Sequence, residues 1–262
     1  MTRGPALEVD CSPARAASTS ATSNVLFTEH AFGEDARKRV PHVRQTYNWD
    51  CGLAVVLMIV HANGMKHVDL RYLRHICGTT SIWTIDIAHL LRHFNLQVKF
   101  FTITLGANPA YADEKFYKEH MHTDEVRVHQ LFKLAQEAGI EVHQRSLPLE
   151  ELKEVCSSSK ALVLILVDKR VLQAGNSSSN NNAVASGHAN RLLCCGVLSN
   201  LVRTGYVGHY VLLYDYNAVT GEFSMRDPAS STSRTTVKEA TLERARKSFG
   251  TDEDVIIVPY IN

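Results

Sequence analysis

The chain has 262 residues, of which 45% are hydrophobic and 21% charged, and its formal net charge is +1. This balance gives no global attraction to nucleic acid, for which a basic stripe would be expected, and no apolar run approaches the ~20 residues that span a bilayer. We therefore expect a globular protein that neither binds nucleic acid nor crosses a membrane.

The six cysteines are scattered, with no CxxC pair and no regular disulfide spacing. A chain of this size does not depend on disulfides for its stability, so the pattern favours a reducing compartment, and we expect a cytoplasmic protein. Residues 1–39 predict a disordered tail, since termini are commonly loose. An organelle transit peptide is the alternative for this segment, and Glu8 and Asp10 argue against it.

A single domain is predicted over residues 40–262, and its first element is a helix that is apolar on every face. The run from Leu53 to Val60 contains no polar residue, so this helix must be buried. Asp50 is a suitable N-cap, which would place Cys51 in the first turn.

Helices and strands alternate through the middle of the chain. The predicted order is a helix from Ser81 to Phe94, a strand from Gln97 to Leu105, a helix from Val126 to Ala138, a strand from Ile140 to Ser146, a short helix opened by Pro148 and a buried strand from Ala161 to Val167. Residues 175–190 are rich in serine and asparagine and predict a low-complexity loop inserted into the domain.

The last third predicts a pair of strands, His209 to Tyr214 and Glu222 to Met225, joined by a turn. A helix through Leu242 that ends at Gly250 and a final strand from Val255 to Tyr260 follow. Early helices and late strands together predict an α+β fold in which the buried N-terminal helix packs on an antiparallel sheet.

Cys51 is the first candidate for chemistry. A cysteine in the first turn of a helix feels the positive end of the helix dipole, which favours the nucleophilic thiolate. Gly52 would leave room for a substrate to approach the sulfur. The alternative is that Cys51 is a small core residue, as free cysteines often are.

Three further residues complete a thiol site. Gln45 precedes the cysteine by six positions, so its amide could donate a hydrogen bond to an oxyanion. His209 begins one strand and Asp227 follows its partner, so the two side chains can meet across the ladder. His209 would be the base and Asp227 would fix its tautomer; taken singly, they would be a polar strand end and the opening of an Asp-Pro turn.

Two of these blocks resemble a known family of peptidases. Gln45 to Val60, together with His209-Tyr210 and Asp227-Pro228, is similar to the double-glycine peptidases that process bacteriocins. This resemblance implies a papain-like fold and a cysteine peptidase that needs no cofactor.

A longer set of ordered blocks resembles the plant-type guanylyl cyclases and their animal relatives that contain the same domain. The blocks are 49–54 (WDCGLA), 81–86 (SIWTID), 106–109 (GANP), 116–119 (FYKE), 205–210 (GYVGHY) and 248–254 (SFGTDED). The resemblance implies magnesium-dependent conversion of GTP to cyclic GMP, with GTP as the bound nucleotide.

The residues themselves place neither a triphosphate nor a metal. The chain has no GxxxxGK[ST] loop, and the acidic cluster Asp252-Glu253-Asp254 is predicted to be a solvated turn. Basic side chains that could approach phosphate, but are more often ordinary surface residues, are Arg226, Arg246 and Lys247.

Histidine and cysteine pairs offer two weaker candidates for a metal. His89 and His93 are four residues apart on a predicted helix but lack the glutamate of an HExxH motif, and Cys194-Cys195 with His188 lacks the spacing of a zinc site. We therefore predict no metal ligands.

Three functions remain open from the sequence. The first is a guanylyl cyclase that uses GTP and Mg²⁺, as the longer resemblance implies. The second is a thiol hydrolase acting on a peptide or other acyl substrate through Gln45, Cys51, His209 and Asp227. The third is a binding module that keeps the fold without catalysis.

Overall fold

The computed structural model describes residues 40–111, 121–177 and 205–261. The seven α-helices of this part are α1 (Cys51–Ala62), α2 (Leu70–Cys77), α3 (Thr84–His93), α4 (Met121–Leu134), α5 (Leu149–Ser158), α6 (Lys169–Ser177) and α7 (Glu239–Arg246), and a 3₁₀ turn covers Pro109–Tyr111. The predicted tail and most of the predicted loop, residues 178–190, lie outside the described residues. The described residues belong to one compact unit.

The strands of these residues form one sheet of seven, in the order β2-β1-β7-β3-β4-β5-β6. They are β1 (Val98–Thr102), β2 (Ile140–Gln144), β3 (Ala161–Asp168), β4 (Gly208–Asn217), β5 (Glu222–Arg226), β6 (Thr235–Lys238) and β7 (Val255–Pro259). The predicted class, helices combined with a sheet, is confirmed. The sheet is not purely antiparallel, however, because β1 and β2 pair in parallel. A parallel pair needs a crossover connection, and α4 lies in the segment between these two strands.

Alternate residues of the central strands face two hydrophobic cores. On one side Tyr210, Leu212 and Tyr214 of β4 pack with α1 and α3. On the other side Val211 and Leu213 pack with residues of α5 and α7. This alternation follows from the period of two in a strand. The predicted packing of the apolar helix on the sheet is present, since every residue from Cys51 to Val60 is buried.

Some elements differ from the sequence predictions. The second predicted helix begins at Thr84, three residues late, and α4 begins at Met121, before the predicted Val126. Helix α6 contains Gly175–Ser177, which were predicted to open the loop, and a Cβ on Gly175 would come within 2.2 Å of Thr241 Cγ2. The helix therefore continues into the serine-rich stretch because Gly175 lets it pack closely against α7.

No helix in the part of the chain that the structure describes is both long and apolar enough to cross a bilayer.

Candidate functional site

Cys51 is the first residue of α1, as the sequence predicts, and it is 6% exposed. Asp50 occupies the N-cap position, but its side chain makes no capping hydrogen bond. The first backbone bond of the helix runs from the Ala54 N–H to the Asp50 carbonyl, 3.0 Å. The N–H groups of residues 51–53 therefore have no acceptor within the helix. They lie at its N-terminal end, beside Cys51, where they favour negative charge.

The carboxylate of Asp50 instead fixes the turn that leads into the helix. It is fully buried and accepts the N–H groups of Thr46, 3.1 Å, and Tyr47, 2.8 Å. Arg74 of α2 donates to the other carboxylate oxygen from Nε, 3.2 Å, and from Nη2, 2.8 Å. Asp50 is thus a positioning residue for the turn before Cys51 and not the predicted side-chain cap.

Replacing Arg74 by Met should lower the free energy of unfolding by roughly 3 kcal/mol, because it leaves the buried Asp50 carboxylate without its cation. Urea unfolding followed by circular dichroism measures this loss. The matched control is Arg71→Met, since Arg71 is an exposed arginine on the same helix, and this variant should change stability by less than about 0.5 kcal/mol. Equal stability of the two variants would show that the ion pair does not hold the turn.

Gly52 allows close packing of the first turn of α1, and its role in access to the sulfur stays a prediction. A Cβ at this position would lie 2.7 Å from Ile87 Cδ1 and 3.0 Å from Tyr210 Cδ2. The first turn of α1 therefore sits against α3 and β4 at a distance that only glycine permits. This close approach brings Cys51 to the beginning of β4, where His209 lies.

His209 joins Cys51 to Asp227, as the sequence predicts. Its buried ring is 2% exposed, and Nε2 lies 2.7 Å from Asp227 Oδ1. The side chain of Cys51 interacts with the same ring and raises its pKa. Because Nε2 is used by Asp227, Nδ1 is the nitrogen left for the sulfur.

The charges around this ring favour an imidazolium. Burial alone lowers the pKa of His209, but the hydrogen bond and charge of Asp227, together with the influence of the Cys51 side chain, outweigh burial and raise the pKa to about 9. Burial also opposes ionisation of Asp227, yet the hydrogen bond and charge of His209 lower the pKa of that carboxyl below its usual value. An imidazolium beside the Asp227 carboxylate is the protonation state that these shifts support.

The backbone of Gln45 is hydrogen-bonded next to the group formed by Cys51, His209 and Asp227. Its N–H donates to the Pro228 carbonyl, 3.0 Å, next to Asp227. Its side-chain Nε2 donates to the Tyr47 carbonyl, 2.7 Å, and its Oε1 is buried without a partner. The amide N–H group of Gln45 is therefore already hydrogen-bonded within its own turn. Donation from this amide to an oxyanion stays a prediction, and it would require a rotation of the side chain.

The acidic cluster is not a solvated turn, contrary to the prediction. Asp252 and Asp254 are each 7% exposed, and the carboxylate of Glu253 bonds the hydroxyl of Ser146. Asp252 Oδ1 accepts hydrogen bonds from three side chains, those of Thr104, Asn108 and Tyr111. These partners lie more than 140 positions away in the chain, so a local reading of the charges could not reveal them.

The cluster does not fit a magnesium ion. Mg²⁺ requires octahedral oxygen ligands and usually keeps several waters. Here Glu253 is directed away to Ser146, one oxygen of Asp252 already accepts three hydrogen bonds, and the adjoining cavity measures only about 20 Å³. Within the described ranges, no group of three or more histidine, cysteine, aspartate or glutamate side chains could hold a metal.

The other candidates from the sequence have structural partners. His89 Nε2 bonds the Leu131 carbonyl, 3.0 Å, and His93 Nε2 bonds the Tyr72 hydroxyl, 3.2 Å, so the two rings have separate partners. Cys194, Cys195 and His188 lie outside the described residues.

The basic side chains that could approach phosphate are also engaged. Arg226 donates to the Val40 carbonyl, 2.9 Å, and Lys247 pairs with Glu243, 2.9 Å. Arg246 is fully buried and donates to Glu243 and to the Leu147 carbonyl. The prediction that Arg246 is an ordinary surface residue is therefore wrong, because it anchors α7 to the segment before α5.

A family model and a curated relative both identify the family to which this chain is similar. The guanylylate cyclase family matches residues 40–258. A relative named Guanylyl cyclase 1, from Arabidopsis thaliana, is 42% identical over 219 residues, which cover 84% of this chain and 75% of that protein. The match includes the segments that hold Cys51, His209, Asp227 and the acidic cluster. The chain therefore belongs to the guanylylate cyclase family.

Proposed function

We propose that this protein is a cysteine-dependent hydrolase that acts on an acyl bond, with Cys51 as nucleophile, His209 as acid and base, and Asp227 as the orienting carboxylate. The observation that carries this proposal is the buried ring of His209, which bonds Asp227 and whose pKa is raised by the neighbouring side chain of Cys51 at the start of α1. Nucleophile, base and orienting group in hydrogen-bond contact are the geometric signature of such sites.

The proposed reaction follows from this arrangement. The thiolate of Cys51 attacks the substrate carbonyl and forms a C–S bond, and the carbonyl oxygen becomes an oxyanion near the free N–H groups at the start of α1. The imidazolium of His209 gives its proton to the leaving group as the acyl bond breaks. Neutral His209 then deprotonates a water molecule, which attacks the thioester and releases the acid and the thiol.

This chemistry also supports a papain-like fold, which we propose from the pairing of a helix-start cysteine with a strand-start histidine. Such a pairing is recognised by geometry and roles rather than by sequence position. The three cysteines of the described part, Cys51, Cys77 and Cys156, are free thiols, in keeping with the cytoplasmic location that we propose.

The second candidate is conversion of GTP to cyclic GMP, and the observation that favours it is family membership together with the name of the Arabidopsis relative. In this reaction a base removes the proton of the ribose 3′-hydroxyl, which then displaces pyrophosphate. His209, oriented by Asp227, would act as this base only in its neutral form, because its pKa is raised to about 9. The thiol of Cys51 has no part in this reaction.

Incubation with GTP and Mg²⁺, with mass spectrometry of the product, separates the two candidates. The hydrolase proposal predicts no cyclic GMP above the level of a His209→Ala control. Formation of cyclic GMP by the wild-type protein and equally by Cys51→Ala would contradict that proposal and favour the cyclase. Absence of cyclic GMP together with an unreactive Cys51 would favour a binding module.

A further inference from the structure

A groove of about 580 Å³ lies beside the start of α1. One wall is formed by Trp49, two positions before Cys51, and by Arg74, which holds Asp50. The lining also contains the exposed His75, the segment from Gly78 to Ser81, and Asp124 of α4. Trp49 and Arg74 place the groove next to the N-terminal end of α1, which begins with Cys51.

The permanently charged side chains in the described lining are already paired. Arg74 forms its ion pair with Asp50, 2.8 Å, and Asp124 pairs with Arg127, 3.0 Å. Asp124 also accepts hydrogen bonds from Ser81 and from the indole of Trp83. A ligand in the groove thus meets ion pairs whose charges are largely cancelled.

The rest of the lining suits an uncharged polar ligand. Thr79, Thr80 and Thr123 contribute hydroxyl-bearing side chains to the groove, and a hydroxyl can both donate and accept hydrogen bonds. The ring of Trp49, stacked parallel to Tyr47 with 5.8 Å between centroids, adds a flat apolar surface. A polypeptide backbone offers alternating donors and acceptors that such hydroxyls can match, whereas the described lining offers a triphosphate no unpaired lysine or arginine.

We propose that this groove binds an uncharged polypeptide segment of the substrate and places its carbonyl at Cys51. The assignment rests on the proposed thiol chemistry and names the substrate class for it. Binding in the groove can be tested separately from the reactivity of the thiol, because the described lining does not include His209 or Asp227, on which that reactivity depends.

Two thiol reagents of different size test the groove in the full-length protein. Iodoacetamide needs only the sulfur, whereas acetyl-trialanine chloromethyl ketone must also lay its peptide along the groove. Thr80 is exposed, so Thr80→Trp should fold normally and fill the groove. We expect this variant to react with the peptidyl reagent at Cys51 about tenfold more slowly and with iodoacetamide at the wild-type rate.

The matched control is Thr220→Trp, since Thr220 is exposed in the turn between β4 and β5, and it should change neither rate. Equal peptidyl rates in the two variants, with Cys51 reactive to iodoacetamide, would overturn the groove assignment and leave the thiol site standing. Protection of Cys51 from the peptidyl reagent by GTP would also overturn it, by showing that a nucleotide occupies the groove. An unreactive Cys51 in the wild-type protein would overturn both proposals.

Discussion

Iodoacetamide should alkylate Cys51 at neutral pH at least ~10²-fold faster than Cys77 or Cys156, because an imidazolium beside the sulfur stabilises the nucleophilic thiolate. The two comparison thiols are held in their protonated form. Burial, with the charge of Asp86, raises the pKa of Cys77 to about 11, and burial raises the pKa of Cys156 still further. Mass spectrometry of peptides after timed quenching gives the three rates separately.

The pH dependence of this reaction identifies the source of the reactivity. His209 has a pKa of about 9, above its ordinary 6.5, so it remains an imidazolium across the neutral range. The wild-type rate should therefore vary little between about pH 6.5 and 8.5. In His209→Ala the rate should rise about tenfold per pH unit over this interval, as for a thiol without a cationic neighbour.

Asp227→Asn is the matched variant for the orienting carboxylate, since it keeps the shape of the side chain and removes its charge. Its alkylation rate at pH 7 should lie between those of wild type and His209→Ala, because the imidazolium loses one of its two anionic partners. A wild-type rate in His209→Ala would show that His209 is not the source of the reactivity, and equal rates for Cys51, Cys77 and Cys156 would show that Cys51 is an ordinary core thiol.

The sequence predicts the placement of Cys51, His209 and Asp227 well because its determinants are local. The uninterrupted apolar run after Cys51 requires a buried helix, and strand patterns place His209 and Asp227 at adjacent ends of one hairpin. The observed ladder pairs Leu212 with Arg226, which brings the next residue, Asp227, towards His209. Short-range periodicity and a two-strand register are sufficient for this part of the site.

Features that depend on distant partners could not be predicted in the same way. Asp50 looks like a cap from its position, but Arg74 lies 24 residues ahead in α2, a helix that the apolar pattern of the sequence does not predict. The signals for that helix are present, since Asp69 accepts a hydrogen bond from the Tyr72 N–H and Gly78 ends the helix with a φ of +66°. Its apolar face is narrow, with Leu73 as its buried residue, so periodicity alone did not reveal it.

The acidic turn at residues 252–254 also depends on distant partners that the sequence does not predict. Asp252 and Glu253 have φ values of +47° and +52°, a left-handed conformation that costs energy in residues other than glycine. The backbone is held there by partners from elsewhere in the fold: the Asp252 carbonyl accepts the Ile103 N–H and the Asp254 carbonyl accepts the Leu166 N–H. Three consecutive acidic residues predict a solvent-exposed turn from the sequence alone. In the fold, hydrogen bonds to distant segments bury Asp252 and Asp254 instead.

Asp254→Asn should remove a large pH dependence from the stability of the protein. The cause is burial, reinforced by the negative charge of Asp252, which raises the pKa of Asp254 to about 8 against the opposing hydrogen bonds of Thr84 and Thr102. Its Oδ1 is buried without a hydrogen-bond partner. The folded protein therefore keeps Asp254 protonated at pH values where the unfolded chain, with a pKa of ~3.9, has lost the proton.

The sign of the effect follows from proton binding. Between about pH 4 and 8 the folded state holds a proton that the unfolded state has released, so stability falls as pH rises, by up to ~1.4 kcal/mol per unit. His209, whose pKa is also raised, adds stability that is complete below pH 6.5 and is lost as pH rises through about 9. The contribution of Asp254 is therefore best measured between pH 5 and 6.5. It is the difference in the free energy of unfolding between the wild type and Asp254→Asn, which carries a neutral amide.

Urea unfolding at pH 5 and pH 6.5 measures this difference. Over that interval the wild type should lose roughly 2 kcal/mol relative to Asp254→Asn. Glu137→Gln removes a carboxyl that is exposed and should leave the wild-type slope unchanged, which separates burial from the simple loss of a charge. Parallel stability profiles for wild type and Asp254→Asn would mean that Asp254 is ionised in the fold, and the charge of the acidic turn would then have to be balanced by a cation.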